Sequence, residues 1–315
     1  MDRDELTKQV KELAKRSGAA LVGVASIDRF DAMPPYYDKV PKGQHPCDFL
    51  PEAKSVISIA MPILNPAMDA PARLNEMVLE MYPREAISHW TDSFYNKVAH
   101  ANHDVFLLMI GQIVGQFLLG NGYETMIFPT EGVHFTTESG KKDSEIMMGE
   151  SEEWAREHSP FRYLSGPISH RHCATRAGLG EFGYHNLVLT PQFGSRQRFN
   201  TIITDADLVA DPLITTPICL RDKCRLCIKA CHANALYLRD DPAFTDYRSL
   251  DHVDKDIIFI DTPSKTDTIA CRTRKQGLDE YPVRGDCVRI CPVPKFSKHL
   301  TNRLQNIVDD WQDGK

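Results

Sequence analysis

The stretch Cys219-Leu-Arg-Asp-Lys-Cys224-Arg-Leu-Cys227-Ile-Lys-Ala-Cys231-His232 carries four cysteines in the spacing Cys-x4-Cys-x2-Cys-x3-Cys. A second group, Cys271-x15-Cys287-x3-Cys291-Pro292, follows it. Thiolates two and three residues apart on a tight turn can reach separate irons of one cuboidal cluster, and the next thiolate then points at a neighbouring cluster. The spacing therefore predicts iron-sulfur clusters and a chain that handles electrons.

Two other uses of these cysteines compete with clusters. Disulfides need an oxidising compartment, yet Met1 is followed by Asp-Arg-Asp-Glu with no apolar leader and no cleavage site, so we expect a cytoplasmic protein. Zinc is the more serious alternative, because Cys-x2-Cys is also a zinc half-site that needs a second pair roughly 15 to 20 residues on. The run of four thiolates and the Cys-x3-Cys-Pro group favour clusters over zinc.

Composition describes an ordinary globular chain. It has 315 residues, of which 42% are hydrophobic and 25% charged, enough for one large domain or two. A net charge of -6 argues against a general nucleic-acid surface, which usually carries a basic excess. The longest apolar stretch, Val105 to Leu119, is interrupted by Gln112 and Gln116 and is short for a bilayer. We expect it to form a buried helix, and we expect no membrane partner.

Hydrophobic periodicity predicts alternating helices and strands. Apolar residues at helical spacing run from Leu6 to Ala14 and stop before Gly18, and a long helix is expected over 93–119. Strands are expected at 20–25, 55–61, 123–128, 187–189 and 199–204. This order indicates an α/β or α+β domain over 1–210. The segment 211–217, rich in proline and threonine, marks a boundary to a second domain over 211–315 that ends in a helix over about 295–311.

A second informative stretch covers residues 166–189. Gly178, Gly180 and Gly183 form a Gly-x-Gly-x-x-Gly string, but it follows a polar His/Arg segment and precedes an apolar strand. A nicotinamide site needs this string between a strand and a helix of a βαβ unit, so that reading is rejected. Glycines still allow a large flat ligand to approach the backbone closely.

Together these segments resemble a known family. Residues 10–25, 51–57, 176–183 and 194–195, with the ferredoxin-like cysteines, are similar to the epoxyqueuosine reductases and their relatives, the reductive dehalogenases. The similarity spans nearly the whole chain to Pro294. It implies an α+β fold, in which a nitroreductase-like, cobalamin-binding α/β domain precedes a bacterial ferredoxin-like domain with two 4Fe-4S clusters. It also implies that electrons pass through the clusters to the corrinoid, which then acts reductively on the substrate.

The resemblance implies roles for individual residues. The corrin would be bordered by Arg176, Gly178, Leu179, Gly180, Gly183, Tyr184, His185 and Asn186. Where the tRNA-modifying members have Glu-Arg-Asp, this chain has His170-Arg171-His172, so Arg171 and His172 would position or protonate the substrate. For His172 three roles stay open, namely proton donor, cobalt ligand and structural residue. Cys173 is expected to be a small buried hydrophobe.

The cysteines divide unequally between the two clusters. By ferredoxin logic Cys219, Cys224, Cys227 and Cys291 hold one cluster, while Cys231, Cys271 and Cys287 supply three thiolates to the other. The family pattern places a further cysteine where this chain has Arg284. The second site is therefore a 3Fe-4S cluster, a 4Fe-4S cluster with a fourth ligand other than cysteine, or degenerate. Asp286 and His232 are the candidates nearest in sequence for that ligand.

The leading functional hypothesis is a cobalamin-dependent iron-sulfur reductase that removes oxygen or halogen from a small organic substrate, with ferredoxin or flavodoxin as electron donor. Reduction of epoxyqueuosine in tRNA is an alternative, and it would need a positive groove formed by Arg171, Arg176, Arg196, Arg198 and Lys295. The acidic charge and the short stretch of 24 residues after Cys291 favour a small molecule over tRNA. A third hypothesis is an electron-transfer protein that reduces a corrinoid for a partner.

Overall fold

The computed structural model describes residues 2–31, 45–69, 81, 98, 102–130, 168–238, 263–266, 271 and 285–314. Arg284 and most of the predicted helical residues 93–101 lie outside these ranges. The strands are β1 (Leu21–Ser26), β2 (Ser55–Pro62), β3 (Thr125–Ile127), β4 (Glu181–Phe182), β5 (Val188–Leu189), β6 (Gln197–Thr204), β7 (Leu236–Leu238) and β8 (Ser264–Thr266). The helices are α1 (Arg3–Arg16), α2 (Pro46–Phe49), α3 (Asn102–Gly120), α4 (His170–Arg176), α5 (Leu226–Ala230), α6 (Asp286–Arg289) and α7 (Asn302–Gln312).

A four-stranded sheet in the order β1-β2-β6-β3 forms the centre of the N-terminal part. Every neighbouring pair in it is antiparallel, with Ile57 opposite Val24 on one side and Ile202 on the other. The predicted strands at 20–25, 55–61, 123–128 and 199–204 are thus confirmed, and the mixed helix-and-strand fold with them. The antiparallel pairing separates this sheet from a parallel α/β sheet.

Helices cover both faces of the sheet, which explains why six successive residues of β2 are buried. Ile57 and Ile59 pack with α1 and α3 on one face, whereas Val56 and Ala60 pack with α4 on the other. Successive side chains of a strand point to opposite faces, so a strand covered on both faces is mostly apolar, and in β2 only the small Ser55 and Ser58 interrupt the apolar residues. α4 is thereby fixed on the sheet, and the glycine string directly follows it.

Helix α3 is only partly buried, so the expectation of a buried helix was wrong in part. Its inner side is buried, but Val105, Phe106 and Met109 are 61%, 58% and 57% exposed. The window His103–Gly120 has a mean hydropathy of 1.4 and is, by length and composition alone, apolar enough to cross a membrane. By this measure the helix is not too short to cross a bilayer, contrary to the expectation from 105–119. A core helix passes the same test, and the inner side of α3 packs against the sheet.

The C-terminal part packs short helices around its own small core. That core contains Leu226, Ala230, Ile290, Leu304 and Val308, so that α7 closes over α5 and the residues after α6. α7 is shorter than the predicted helix over 295–311, because the Thr301 hydroxyl caps it by accepting the Leu304 N–H at 3.4 Å.

The predicted domain boundary falls at a well-anchored residue. The Asp211 carboxylate accepts hydrogen bonds from the Val24 backbone N–H at 2.8 Å and from Lys11 Nζ at 2.6 Å. The chain therefore enters the cysteine region from a fixed point on β1, and the division at 211 stays a prediction.

Candidate metal centre

Four cysteines from the two sequence groups line one pocket. They are Cys219, Cys224, Cys227 and Cys291, and the space that they border is about 340 Å³, part of it open to solvent. The pocket is otherwise lined by Tyr184, His185, Leu189, Leu220, Arg221, Arg225, Pro292 and Val293. It thus lies where the turn between β4 and β5 meets the cysteine loops.

The local backbone brings three of these thiols together. Arg225 adopts the left-handed conformation with φ of 51° and turns the chain between Cys224 and α5. Cys227 lies within α5 and is buried, and Cys291 follows α6 and is also buried. α5 and α6 pack against each other, so the two sequence groups meet at their helices.

Glu181 of the glycine string holds the first cysteine loop. Its Oε1 accepts the backbone N–H groups of Ile218 at 2.7 Å and Cys219 at 2.6 Å. Its Oε2 accepts a hydrogen bond from the Arg221 guanidinium at 3.2 Å. One carboxylate thus fixes the loop that carries the first thiol.

The loop after Cys291 rests on Gly194. Gly194 has a φ of +58°, and a Cβ atom added there would lie 1.9 Å from the Val293 carbonyl oxygen. The neighbouring Arg196 donates a hydrogen bond to the Lys295 carbonyl at 3.2 Å. These contacts fix the fourth thiol against the end of β5 and the start of β6.

Burial makes these thiols poor acids in the absence of a metal. It raises the pKa of Cys291 to about 11 and raises that of Cys227 further, and neighbouring thiolates add to both shifts. A thiol binds metal as the thiolate, so a bound cation must displace its proton. The arrangement suits a cationic centre that neutralises several thiolates at once.

His185 is the buried imidazole of this pocket. It is 3% exposed, and its Nδ1 accepts the Leu187 backbone N–H at 3.2 Å. Burial lowers its pKa to about 4, with a smaller contribution from the Arg221 charge. The ring is therefore neutral near pH 7.

The remaining three cysteines lie outside this pocket lining. Cys231 Sγ accepts the Ala235 N–H at 3.3 Å, and Cys287 packs beside Met68 and Val288. Cys271 is half-buried. No group of three or more His, Cys, Asp or Glu side chains among the described residues is spaced for a single metal ion.

The two candidates for a fourth ligand of the second cluster contact each other. His232 Nδ1 lies 3.2 Å from Asp286 Oδ2, which joins the residue after Cys231 to the residue before Cys287. Asp286 also accepts a hydrogen bond from the fully buried Arg289 at 2.9 Å. Asp286 is therefore engaged in an ion-pair network.

Four of the eight residues predicted to border a corrin pack against other parts of this chain. Arg176 is fully buried and donates from Nε to the Arg29 carbonyl at 2.7 Å, and Leu179 lies in the core. A Cβ atom at Gly178 would lie 2.2 Å from the Pro212 oxygen, and one at Gly180 2.1 Å from the Leu189 oxygen. At both glycines, backbone atoms of this chain occupy the space that a side chain would need.

The other four residues of the predicted corrin border lie in two places. Tyr184 and His185 line the cysteine pocket, and Gly183 lies directly against the His185 ring. Asn186 has a φ of 58° and is 6% exposed, and its Nδ2 lies 3.4 Å from Thr266 Oγ1.

The histidine segment forms α4, and its side chains have separate surroundings. His172 Nδ1 lies 2.5 Å from the Ser169 hydroxyl, and its ring is 4.9 Å from that of Phe182. Arg171 donates to the Asn186 carbonyl at 2.5 Å, and burial lowers its pKa. Cys173 is 1% exposed in the core, which confirms the small buried hydrophobe.

Two of the four arginines proposed for a tRNA groove are buried. Arg176 and Arg196 are 0% and 4% exposed, and Arg198 is paired with Asp104 at 3.1 Å. Buried guanidinium groups cannot meet phosphates, so Arg176 and Arg196 do not contribute to such a groove, and the groove itself stays a prediction.

Sequence reasoning missed Glu181 as the residue that anchors the cysteine loop. Its position inside the glycine string, between Gly180 and Gly183, was the available signal. Sequence reasoning also assigned His185 to the corrin, whereas the structure places it beside the cysteines.

Comparison with known proteins supports this fold. No family model matches the chain. A segment of 72 residues, 22% of this chain, is 40% identical to the tetrachloroethene reductive dehalogenase of Desulfitobacterium hafniense and covers 13% of that protein. A reductive dehalogenase structure, reported as suggesting a mechanism for B12-dependent dehalogenation, aligns with 98% of this chain at 14% identity and a TM-score of 0.52. The chain has the reductive dehalogenase fold.

The expected resemblance is thereby confirmed for the fold. An epoxyqueuosine reductase, solved with a modified tRNA stem loop, aligns with 73% of this chain and 52% of its own at 18% identity and a TM-score of 0.43. The chain spans about a third, 34%, of the aligned dehalogenase.

Proposed function

We propose that this chain is an iron-sulfur-dependent reductase whose first 4Fe-4S cluster is held by Cys219, Cys224, Cys227 and Cys291. One observation carries the proposal. Thiols from two groups that are far apart in sequence line the same pocket. Disulfides or unrelated surface cysteines would not require this convergence.

The pocket fits a cluster better than zinc. A zinc site draws four ligands to about 2.0–2.3 Å from one ion, and a Cys-x2-Cys half-site needs a second pair roughly 15 to 20 residues on. A cuboidal cluster instead fills the space between its thiolates, and a pocket bordered by four cysteines offers that space. The nearby guanidinium groups of Arg221 and Arg225 suit its negative charge.

The second set, Cys231, Cys271 and Cys287, is proposed to hold a 3Fe-4S cluster or a 4Fe-4S cluster with one ligand other than cysteine. The structure favours a ligand other than Asp286, because that carboxylate is held by Arg289 and His232. The C-terminal part would then be the ferredoxin-like domain, and residues 1–210 the nitroreductase-like domain. When bound, the clusters accept and pass single electrons.

Cobalamin is the second proposed cofactor, supported by the dehalogenase fold and the B12-dependent chemistry reported for its neighbour. Cobalamin supplies a cobalt centre that can reduce organic substrates. Among the residues predicted to border the corrin, Arg176, Leu179, Gly178 and Gly180 contact the chain's own atoms. We therefore assign no step to cobalt.

The proposed reaction removes halogen or oxygen from a small organic substrate. Replacing halogen by hydrogen takes two electrons and one proton and releases halide. The electrons would come from ferredoxin or flavodoxin through the clusters. His172 is the proposed proton donor, oriented by the Ser169 hydroxyl, and Arg171 is the proposed substrate-positioning group.

Anaerobic reconstitution with iron and sulfide tests this proposal. The cluster-loaded protein is then incubated with cobalamin, reduced ferredoxin and either a halogenated phenol or an epoxyqueuosine-containing tRNA stem loop. Halide release supports the proposed reaction, and tRNA reduction supports the epoxyqueuosine alternative. Cob(I)alamin without organic product supports the electron-transfer alternative. A protein that binds zinc and no sulfide contradicts the iron-sulfur account.

A further inference from the structure

His185 presents a buried polar atom that no protein group satisfies. Its Nε2 has no hydrogen-bond partner among the described residues, although the side chain is 97% removed from solvent, being 3% exposed. An unmade hydrogen bond at a buried polar atom costs about 1–3 kcal/mol. Such an atom in a pocket lined by four cysteines indicates a partner supplied by what the pocket binds.

The protonation of the ring follows from its other nitrogen. Nδ1 accepts the Leu187 backbone N–H at 3.2 Å, so Nδ1 carries no proton. A neutral imidazole has one N–H, which must then be on Nε2. His185 therefore offers a donor at Nε2 and no free acceptor.

The glycine string sets the orientation of this ring. A Cβ atom at Gly183 would lie 2.8 Å from His185 Cε1 and 3.2 Å from Nδ1. The edge with Cε1 and Nδ1 thus packs against Gly183 and the following turn. Nε2 has no protein partner among the described residues, and His185 lines the same pocket as Cys227 and Cys291, so the pocket is where that partner would lie.

We propose that His185 donates an Nε2–H···S hydrogen bond to a sulfur of the cluster at Cys219, Cys224, Cys227 and Cys291, and so raises its reduction potential. The inference rests on the proposed function. A one-electron reduction adds one negative charge to the centre without moving a proton. A donor at a sulfur stabilises the more negative form, and hydrogen bonds to sulfur are among the groups that set cluster potentials.

Loss of this donor should make the cluster harder to reduce. His185→Leu removes the N–H, whereas His185→Gln keeps an amide donor near the position of Nε2. Tyr184→Phe is the matched control, because the Tyr184 hydroxyl lines the same pocket but bonds to Asp222 at 3.1 Å. A tenfold change in the reduction equilibrium corresponds to about 59 mV for one electron.

Potentials are measured on the reconstituted full chain by titration with dithionite and redox mediators, followed by EPR. For His185→Leu we expect a lower reduction potential, equivalent to about a tenfold smaller equilibrium constant for reduction of the cluster. His185→Gln should change the potential less, and Tyr184→Phe should leave it unchanged. Equal potentials for wild type and His185→Leu would overturn the inference while leaving the cluster in place.

A measurement on the wild type removes dependence on the folding of variants. The reduced protein, grown with 15N-histidine, is studied by pulsed EPR. We expect a weak 15N coupling, typical of a hydrogen bond to cluster sulfur. A strong coupling would show iron ligation, and no coupling would show no contact, so either overturns the inference. No cluster signal at all would instead reject the proposed function on which it rests.

Discussion

Glu181 Oε1 accepts a hydrogen bond from the Cys219 backbone N–H at 2.6 Å. The bond joins the glycine string after α4 to the loop that carries the first thiol of the pocket. Two regions that the sequence presents as separate signals are thus parts of one structure. The glycine string, expected to border a corrin, supports the cysteine pocket through Glu181 and His185.

Replacing Glu181 should loosen the first cysteine loop. Glu181→Ala leaves the N–H groups of Ile218 and Cys219 and the Arg221 guanidinium without this acceptor. Hydrogen bonds to charged groups contribute about 1.5–3 kcal/mol, so we expect the free energy of unfolding to fall by about 2 kcal/mol and the cluster to be lost faster. Denaturant unfolding measures the free energy of unfolding, and iron release to a chelator measures the rate of cluster loss. Glu12→Ala, on the exposed side of α1, is the control, and equal behaviour of the two variants would refute the role of Glu181.

Gly194 should tolerate no side chain. In Gly194→Ala the new Cβ would lie 1.9 Å from the Val293 carbonyl oxygen, at a φ of +58° that L-residues rarely adopt. We expect a lower melting temperature and reduced iron content, since the loop after Cys291 must move. Gly120→Ala is the matched control, because its Cβ would meet nothing within 4 Å. Iron content equal to wild type in Gly194→Ala would contradict this packing.

We expect Asp286 to stabilise the folded protein and not to ligate the second cluster. Asp286→Ala leaves the fully buried Arg289 without its carboxylate partner, and breaking a buried ion pair costs about 3–5 kcal/mol. We expect a large fall in the denaturation midpoint. The EPR spectrum of the second cluster should keep its shape, whereas Cys287→Ser should alter it. A spectrum changed equally by both substitutions would identify Asp286 as a ligand.

Thiol labelling should separate the cysteines by environment. Burial raises the pKa of Cys173 to about 12, and thiolates rather than thiols are alkylated. We therefore expect Cys173 to resist iodoacetamide at pH 8 with or without a cluster. Among Cys219, Cys224, Cys227 and Cys291, the half-buried Cys219 and Cys224 should react in the metal-free protein and be protected when iron and sulfide are bound, whereas the buried Cys227 and Cys291 should react slowly in both states. Mass spectrometry of anaerobically labelled peptides, with the unfolded chain as control, measures each site, and labelling of all four in the loaded protein would argue against their role.

His172 should affect turnover without affecting the first cluster. A positioned general acid contributes about 10²–10⁴-fold to a rate, so His172→Ala should lower kcat by at least about 10²-fold. Ser169→Ala removes only the hydroxyl that contacts Nδ1, and its loss should be smaller. Cluster EPR should be unchanged in both variants. Unchanged turnover in His172→Ala would leave His172 a structural residue.

The sequence predicted the sheet well because its strands are buried on both faces. In 55–61 that burial is met by a mostly apolar run and in 199–204 by β-branched and aromatic residues, and both patterns favour a strand. Helix α1 was equally clear, since Gly18 ends it with a φ of +113°. Helix α3 was harder. Its outer face carries Val105 and Phe106, and residue type alone does not show which side of an apolar helix meets the sheet.

The site was predictable in its cysteines and less so in its glycines. Cysteine spacing is set by cluster geometry, so it indicates which thiols converge. A glycine indicates only that some group approaches the backbone, without naming it. At Gly178 and Gly180 that group is the protein's own Pro212 and Leu189. The burial of Arg176 could likewise not be predicted from the sequence, because its hydrogen-bond partner, the Arg29 carbonyl, is remote in sequence.

The most direct test of the shared cluster is the EPR spectrum of the anaerobically reconstituted, dithionite-reduced protein, with iron and sulfide counted per chain. We predict a 4Fe-4S signal that is lost or altered by Cys227→Ser and by Cys291→Ser alike, and preserved in Cys173→Ser. A Cys291→Ser protein with the wild-type signal, or a wild-type protein holding zinc without sulfide, would contradict the account.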